Sequence, residues 1–318
     1  MDYALEADWQ LLNTCNFRCS YCLSDQQLLG EKIRKFASPA AWTSAFDQTG
    51  KTWLVNLTGG EPGSYPELVE LCRALTARHY ISLNTNLTHR SFEAFAERID
   101  PSRVSLINAG LHLEERNARV AQASFLRNAA RLKAKGFPLV VSLVATPAAL
   151  AHFDEAIALL APIGLFPIPK LLREGFGGKR YPKAYSDAER VAFRSHAAAA
   201  RGFYAASGER AAPPTMDMSN DERFLSGVPS YIGRACGAGS RFVKIEANGD
   251  VYRCSNKTAL GNLLDGSLAL LPGPTPCDTG YCFYWCEKYA APRSASSTLD
   301  AVLKWAEARL RLPTVASA

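Results

Sequence analysis

The feature that most constrains the fold is an alternation of short apolar runs with helical patterns between about residues 8 and 172. Several of these runs, such as residues 140–144, are rich in β-branched residues, which is typical of buried strands. Helix starts are marked by a capping hydroxyl before a first-turn proline at Ser38-Pro39 and Thr146-Pro147. The candidate strands are residues 8–13, 52–58, 80–84, 103–108, 138–145 and 163–168.

Repeated strand–helix units with short connections form parallel strands joined by right-handed crossovers. The alternation therefore predicts an α/β fold in which residues 1–172 form a partial (β/α)6 barrel of the TIM type. In such barrels the active residues lie on loops at the carboxyl ends of the strands. We expect the functional residues of this chain directly after its predicted strands.

The alternation stops at residue 173. Residues 173–235 combine a glycine-rich loop, an alanine-rich helix and a Pro/Ser/Asn-rich stretch at 213–230, a composition that predicts a linker lying over the barrel mouth as a lid. Residues 236–318 predict a small α+β domain that binds a cluster, with a β-hairpin and a closing helix at about 298–311.

Composition and charge exclude several classes of protein. Of 318 residues, 47% are hydrophobic and 21% charged, which is ordinary for a soluble globular chain. The acidic residues 1–8 do not form a signal peptide, and no apolar run is long enough to span a membrane. The net charge of +6 is not concentrated in one tract. We expect a cytoplasmic protein with no membrane or nucleic-acid partner and a slight preference for an anionic substrate.

Eight of the nine cysteines fall into two groups near the ends of the chain. An odd count without a secretion signal favours metal clusters in a reducing cytosol over a disulfide framework. The ninth, Cys72, lies at helical spacing in an apolar run and predicts a small core residue. The two groups are Cys15, Cys19 and Cys22, and Cys236, Cys254, Cys277, Cys282 and Cys286.

The first group has the spacing C-x3-C-x2-C, directly after the first predicted strand. Three thiolates leave one iron of a four-iron cluster without a protein ligand, whereas structural zinc sites close all their positions. Zinc would need a fourth ligand, and no other His or Cys lies within about thirty residues. The spacing therefore predicts an iron–sulfur cluster with an open iron.

A Gly-Gly-Glu-Pro run at residues 59–62 follows the second predicted strand, and the aromatic Tyr21 precedes Cys22. Paired glycines permit a close approach of the backbone, and a carboxylate can receive an ammonium group. Together with the cysteine motif, these residues resemble the radical S-adenosylmethionine (radical SAM) superfamily. The resemblance implies that SAM is bound by Gly59, Gly60, Glu61, Pro62, Thr85, Asn86, Ser105, Asn108 and Ser142.

The resemblance also implies an activity. In this superfamily the reduced cluster donates one electron to SAM, which is cleaved to methionine and a 5′-deoxyadenosyl radical that abstracts a hydrogen atom from the substrate. The implied cofactors are SAM and a [4Fe–4S] cluster, and an implied partner is an electron donor such as flavodoxin or ferredoxin. The alternative is a non-catalytic iron–sulfur carrier, which would have no need of residues 59–62.

The second group begins with Cys236 and Cys254, which flank alternating residues around Asn248-Gly249. This pattern predicts a β-hairpin that brings both cysteines together. The spacing C-x2-G-x9-G-x4-C, followed by three more cysteines, resembles the SPASM domain or its shortened twitch form. Full SPASM domains carry seven cysteines and two clusters, so five imply one auxiliary [4Fe–4S] cluster. A zinc ribbon is the alternative.

Five cysteines and four ligand positions leave one thiol over. It is either a buried thiol without a role or a donor that returns a hydrogen atom to a substrate radical, as in radical epimerases of the superfamily. Cys277 fits the ligand pattern least well and is the candidate donor. Candidate substrate contacts at other strand ends are His112, Glu114, Lys170 and Arg173.

Two features bear on the substrate. Only fourteen residues precede Cys15, so we expect no leader-binding domain of the kind that many peptide-modifying members carry. A single auxiliary cluster also favours a small-molecule substrate. We therefore expect an oxidoreductase or epimerase acting on a sugar, aminocyclitol or related polyol. The alternative is epimerisation, cross-linking or oxidation of a peptide or protein.

Overall fold

A sheet of nine strands forms the centre of the protein. The computed structural model describes residues 1–24, 26–115, 121–206, 224–227, 230–254, 258–279, 282 and 288–290. The strands along the chain are β1 (Leu5–Leu12), β2 (Trp53–Gly59), β3 (Tyr80–Thr85), β4 (Val104–Gly110), β5 (Leu139–Val144), β6 (Pro167–Lys170), β7 (Glu174–Phe176), β8 (Lys179–Tyr181), β9 (Ala235–Cys236), β10 (Phe242–Ile245), β11 (Asp250–Tyr252), β12 (Ala259–Asn262) and β13 (Thr275–Pro276).

Strands β1 to β6 are parallel neighbours in chain order. The order in the sheet is β12-β11-β10-β1-β2-β3-β4-β5-β6, and its two end strands do not pair with each other. The predicted partial barrel is therefore confirmed as an open α/β barrel. The helices are α1 (Pro39–Gln48), α2 (Leu68–Thr76), α3 (Ser91–Arg98), α4 (Gln122–Ala134), α5 (Pro147–Ala151), α6 (Phe153–Leu160) and α7 (Asp187–Ala206).

The local signals for the first helices act as expected. The Ser38 hydroxyl accepts a hydrogen bond from the Ala41 N–H at the start of α1, and Thr146 does the same for Ala149 at the start of α5. Each bond satisfies one backbone donor that the first turn leaves without a partner. These caps fix where each helix leaves its strand.

The predicted hairpin around Asn248-Gly249 is present, since β10 and β11 pair antiparallel. Gly249 has a φ of 92°, which a residue with a Cβ rarely adopts. The hairpin is not an isolated unit, because β10 pairs in parallel with β1 and sets Lys244 beside Asp8. Strands from the second cysteine region thus continue the barrel sheet at its β1 edge.

The two faces of β1 differ in chemistry. Leu5, Ala7 and Trp9 belong to the core between the sheet and the helices, where the Trp9 ring lies 4.5 Å from the ring of Trp42 in α1. Burying a large apolar side chain contributes roughly 1.5–3 kcal/mol. The alternate residue Asp8 faces the barrel interior together with buried polar side chains of the neighbouring strands, so the interior is polar near the site described below.

Helix α7 covers part of the barrel interior. Its Ala200 and Tyr204 pack against Leu106, Val140 and Ile168 of β4, β5 and β6, and the Tyr204 hydroxyl donates to the Phe166 carbonyl at 2.7 Å. In the part of the chain described, no helix combines the length and apolar character needed to cross a membrane. Cys286, the predicted helix at 298–311 and most of 213–230 lie outside the described residues.

Candidate active site

A cavity of about 590 Å³ opens at the carboxyl ends of β1 to β6. This is the end at which parallel α/β barrels carry their active residues. Most of the residues predicted from the two motifs meet there. They are Cys15, Cys19, Cys22, Gly59, Gly60, Glu61, Thr85, Asn86, Asn108 and Ser142.

Two of the predicted SAM-binding residues do not line this cavity. Ser105 is the second residue of β4, near its amino end. The pairing of β3 with β4 is irregular at this point, because Ile81 pairs with Val104 and Ser82 with Leu106, and Ser105 does not line the cavity that Asn108 lines. Pro62 is buried and begins a short 3-10 turn, Pro62–Ser64, directly behind Glu61.

The loop after β1 presents its three thiols to the cavity at different depths. Cys15 is half-buried, Cys19 is buried and Cys22 is exposed. Burial is the largest cause that raises the pKa of Cys15 to about 11 and that of Cys19 to about 12, and the Cys22 thiol raises both further. Thiols in such surroundings become ligands only when a cation compensates their charge.

The Gly-Gly-Glu run binds the cysteine loop through its backbone. The Gly60 N–H donates to the Leu12 carbonyl at 2.8 Å, and the Glu61 N–H donates to the Thr14 carbonyl at 2.9 Å. A Cβ on Gly60 would overlap the carbonyl oxygens of Asn13 and Thr14. Gly60 is therefore required because the backbone passes close to the segment that leads into Cys15. From the sequence, the paired glycines were expected to allow a close approach to a ligand.

The Glu61 carboxylate is 1% exposed and joins the ends of two strands. Its Oε1 accepts hydrogen bonds from the Gly63 N–H at 2.7 Å and the Thr85 hydroxyl at 2.5 Å. Its Oε2 accepts a hydrogen bond from the Asn86 N–H at 2.6 Å. Since an ionised carboxylate offers about four acceptor positions, most of them serve to fix the carboxylate at the cavity wall.

Asn86 also connects β3 to the cysteine loop. Its amide donates to the Asn16 side-chain oxygen at 2.7 Å, and the Asn16 amide donates to the Thr88 hydroxyl at 3.0 Å. The Thr88 hydroxyl donates back to the Asn86 oxygen at 2.7 Å. The cysteine motif, the Gly-Gly-Glu run and the Thr85-Asn86 pair thus form one hydrogen-bonded assembly.

An aromatic group borders the same loop. The Tyr21 hydroxyl and His112 Nδ1 are 2.8 Å apart, and the two rings are stacked with centroids 6.0 Å apart. The buried Phe17 ring meets the His112 ring edge-on at 5.9 Å. All three residues line the cavity, so His112 contributes to its wall by packing and hydrogen bonding.

Of the other predicted substrate contacts, Lys170 and Arg173 line the cavity, and the Arg173 guanidinium lies 4.4 Å from the ring centroid of Phe224. Glu114 is outside the lining and accepts a hydrogen bond from the Ser20 hydroxyl at 3.0 Å. Lys170 and Arg173 thus place two cations on the β6 side of the cavity, where Glu174 adds one carboxylate.

Sequence reasoning missed Asp8, which lines the cavity from the middle of β1. Burial raises its pKa to about 6, although the Thr58 hydroxyl, which donates to Asp8 Oδ1 at 2.8 Å, and Lys244 both favour the ionised form. The alternation of Glu6, Asp8 and Gln10 with apolar residues was the signal that could have located it.

The cysteines of the second group also come together. Cys236, Cys254 and Cys282 lie in one buried cluster with Tyr231 and Phe242, and Cys277 packs against it. Burial raises the pKa of the Cys236 and Cys277 thiols, and the positive charge of Arg253 opposes that rise. Cys277, the candidate hydrogen donor, therefore lies among the other thiols of its group and not in the main cavity.

The first cysteine group places three thiols around one cavity, a donor set that would leave one iron of a four-iron cluster without a protein ligand. Among the described residues, no three His, Cys, Asp or Glu side chains are placed to hold a single metal ion.

Comparison with known proteins agrees with this geometry. The model of the Radical SAM superfamily matches residues 9–160. The PqqA peptide cyclase of Ruegeria pomeroyi is 31% identical over 167 residues, 49% of this chain and 43% of the relative. The mycofactocin maturase MftC of Mycolicibacterium smegmatis is 27% identical over 286 residues, 83% of this chain and 68% of the relative. The chain thus spans less than half of the first relative.

Solved structures show the same fold. Native anSMEcpe with bound AdoMet has a TM-score of 0.56 at 17% identity, and the match covers 82% of this chain and 78% of that one. Streptococcus suis SuiB bound to S-adenosylmethionine has a TM-score of 0.56 at 16% identity, with 83% and 64% covered. Residues 9–160, whose barrel places the three cysteines and Gly59 to Glu61 around one cavity, are a radical SAM domain.

Proposed function

We propose that this radical SAM enzyme modifies a peptide or protein, and that its second cysteine group holds an auxiliary [4Fe–4S] cluster. The observation that carries the enzyme class is the single hydrogen-bonded assembly of the cysteine loop, Glu61 and Asn86 at the cavity. Such an assembly fixes a cluster site relative to a SAM site, which an electron carrier would not need.

When bound, a reduced cluster and SAM supply a 5′-deoxyadenosyl radical that takes a hydrogen atom from a substrate carbon. The residues of this chain hold and align the reactants. Cys15, Cys19 and Cys22 would ligate three irons, and Gly59 to Glu61 would contact the methionyl end of SAM. Asn108 and Ser142 line the same cavity and would contact the remainder of SAM. Holding reactants in line in this way is a large part of what a protein adds to such chemistry.

A peptide substrate is supported by the relatives. The PqqA peptide cyclase is named for a peptide, and the maturase MftC matches over most of this chain. This support outweighs the reasoning from chain organisation that favoured a sugar or polyol. We therefore propose the peptide alternative as the substrate class.

The auxiliary cluster is supported by the four thiols that pack together at Cys236, Cys254, Cys277 and Cys282. A cluster there could accept one electron from the substrate radical, and loss of a proton from that radical would complete a two-electron oxidation of the substrate. Epimerisation would instead need a hydrogen donor. The crowding of Cys277 among the other thiols favours oxidation.

An external electron donor such as flavodoxin or ferredoxin is part of the proposal, since the first cluster must be reduced before each cleavage. Cys22 is the exposed thiol of its loop, so the cluster edge nearest the solvent would be on that side.

The enzyme class is tested by reducing anaerobically reconstituted protein with dithionite in the presence of SAM and measuring 5′-deoxyadenosine. We expect its formation in the wild type and its loss in Cys22→Ala. The matched control is Cys72→Ala, because Cys72 is a core residue of α2 that is 0% exposed. Equal activity in wild type and Cys22→Ala would contradict the proposal.

The substrate class is tested separately. Synthetic peptides encoded by short reading frames beside the gene are incubated with the active enzyme in D2O, and a mixture of sugars and aminocyclitols serves as the comparison. A peptide that gains deuterium or loses hydrogen in mass spectra supports the proposal. Turnover of only the sugar mixture would restore the small-molecule alternative.

A further inference from the structure

Arg253 is a buried cation in the second cysteine region. It follows β11 directly, and the residue is 7% exposed. Its Nε donates to the Ala238 carbonyl at 3.1 Å, and its Nη2 donates to the carbonyls of Thr275 and Pro276, both at 3.1 Å. Three carbonyls from two segments of the chain therefore hold the guanidinium in one orientation.

Within the described ranges, the hydrogen bonds of this guanidinium go to backbone carbonyls, and no carboxylate forms an ion pair with it. A buried charge with no opposite charge nearby is unfavourable. Arginine does not lose its proton in proteins. The position of Arg253 therefore calls for an anionic group beside it.

The residues that hold Arg253 adjoin the cysteines. Arg253 precedes Cys254, Ala238 lies two residues after Cys236, and Pro276 precedes Cys277. Cys236 and Cys254 belong to the buried cluster described above, and Cys277 packs against it. A set of thiols and a fixed cation thus lie side by side in one buried region.

We propose that Arg253 is the counter-charge of the auxiliary cluster and raises its reduction potential. The inference rests on the proposed auxiliary cluster. A four-iron cluster with four thiolate ligands carries a net negative charge, and accepting one electron makes that charge larger. A fixed cation nearby stabilises the reduced form more than the oxidised form, since net charge and hydrogen bonding are among the factors that set cluster potentials. The cluster thereby becomes a better acceptor for an electron from the substrate radical.

The test isolates the second cluster by replacing Cys15, Cys19 and Cys22 with alanine and reconstituting the protein with iron and sulfide. Redox titration followed by EPR then compares three forms that carry Arg253, Arg253→Lys or Arg253→Gln. We expect the ratio of reduced to oxidised cluster at a fixed potential to fall about tenfold in Arg253→Gln, which corresponds to about 59 mV for one electron. Arg253→Lys, which keeps the charge, should stay near the parent.

Arg241→Gln is the matched control, because Arg241 lies in the same region but is exposed, over the Tyr289 ring at 5.3 Å. Its loss should leave the ratio unchanged. Equal potentials in Arg253→Lys and Arg253→Gln would overturn the inference. If Arg253→Gln cannot retain iron, Arg253→Lys decides: an intact cluster at the parent potential supports the role of the charge, and loss of iron in both variants overturns it.

A different result would show that the proposed auxiliary cluster does not exist. If the parent with three alanines binds no iron, or binds zinc in its place, the auxiliary cluster itself is absent and 5′-deoxyadenosine formation by the wild type is unaffected. A cluster that forms normally but does not respond to Arg253→Gln contradicts only the role of Arg253.

Discussion

Glu61 Oε1 accepts a 2.5 Å hydrogen bond from the Thr85 hydroxyl, which joins the carboxyl end of β2 to that of β3 at the cavity wall. The Thr85 hydroxyl oxygen in turn accepts the Leu87 N–H at 2.9 Å. Both side chains are buried, with Glu61 1% and Thr85 5% exposed. One hydroxyl therefore fixes both the carboxylate and the turn that follows β3.

Replacing Thr85 by valine keeps the volume and removes this hydroxyl. We expect the free energy of unfolding to fall by about 1–3 kcal/mol, the cost of leaving buried polar groups without partners. The freed carboxylate should raise the KM for SAM about tenfold, measured by 5′-deoxyadenosine formation, with bound iron unchanged. Thr43→Val on α1 is the control. An unchanged KM would show that the orientation of Glu61 does not matter for SAM.

Gly60→Ala tests the contact between the Gly-Gly-Glu run and the cysteine loop. The added Cβ would overlap the carbonyl oxygens of Asn13 and Thr14, and forced overpacking typically costs about 1–3 kcal/mol. Displacement of that segment should lower the iron bound by Cys15, Cys19 and Cys22, measured by iron analysis. Gly202→Ala, in open space on α7, should instead be neutral or stabilise by about 0.5–1 kcal/mol. Similar iron content in both variants would contradict the expectation.

The sequence predicted the parts of this protein that depend on local pattern. Apolar runs and helix caps are local, so β1 to β6 and the starts of α1 and α5 were found. The spacings around Cys15 and Gly59 carry their chemistry in adjacent residues, so the main cavity was also located. Asn248-Gly249 has the backbone preference of a hairpin turn, and the hairpin is where it was expected.

The rest depends on long-range pairing or on register. No local signal states that β10 pairs with β1, because such pairing is decided by the whole sheet. Ser105 was assigned by its position on β4, but it lies where the register between β3 and β4 shifts, which no local pattern in the sequence announces. Arg253 reads as one polar residue beside Cys254, and only its burial and its carbonyl partners single it out.

Tyr289→Phe tests how the barrel holds the second cysteine region. The Tyr289 hydroxyl donates to Glu6 Oε2 at 2.7 Å, and Lys288 forms an ion pair with the same oxygen. Burial and the Glu6 charge raise the pKa of Tyr289, which keeps the hydroxyl protonated as a donor. Because Glu6 is 0% exposed, losing this bond should cost about 1.5–3 kcal/mol.

The same variant should lower auxiliary iron, because the Tyr289 carbonyl also accepts the Gly237 N–H at 3.0 Å beside Cys236. Iron analysis after reconstitution and denaturant unfolding measure the two effects, and SAM cleavage should persist. Tyr252→Phe on β11 is the control, since no hydrogen bond of its hydroxyl is seen among the described residues. The prediction would be wrong if Tyr289→Phe lost the iron bound by Cys15, Cys19 and Cys22 and kept the auxiliary iron.

Asp8→Asn should stabilise the protein at neutral pH and not in acid. Burial raises the pKa of Asp8 from 3.8 to about 6, so between these values the folded state binds a proton that the unfolded state has released. Stability from this group is therefore present below about pH 4 and is lost as the pH rises to 6, by up to about 3 kcal/mol. Urea unfolding of the apoprotein at pH 4 and pH 7.5 should show a gain for Asp8→Asn only at the higher pH. Asp100→Asn is the control, because it removes an exposed carboxylate whose pKa is lowered by hydrogen bonds from Ser102. It should lower stability at pH 7.5, the opposite of the effect of Asp8→Asn. An equal gain for Asp8→Asn at both pH values would mean that its effect does not come from ionisation.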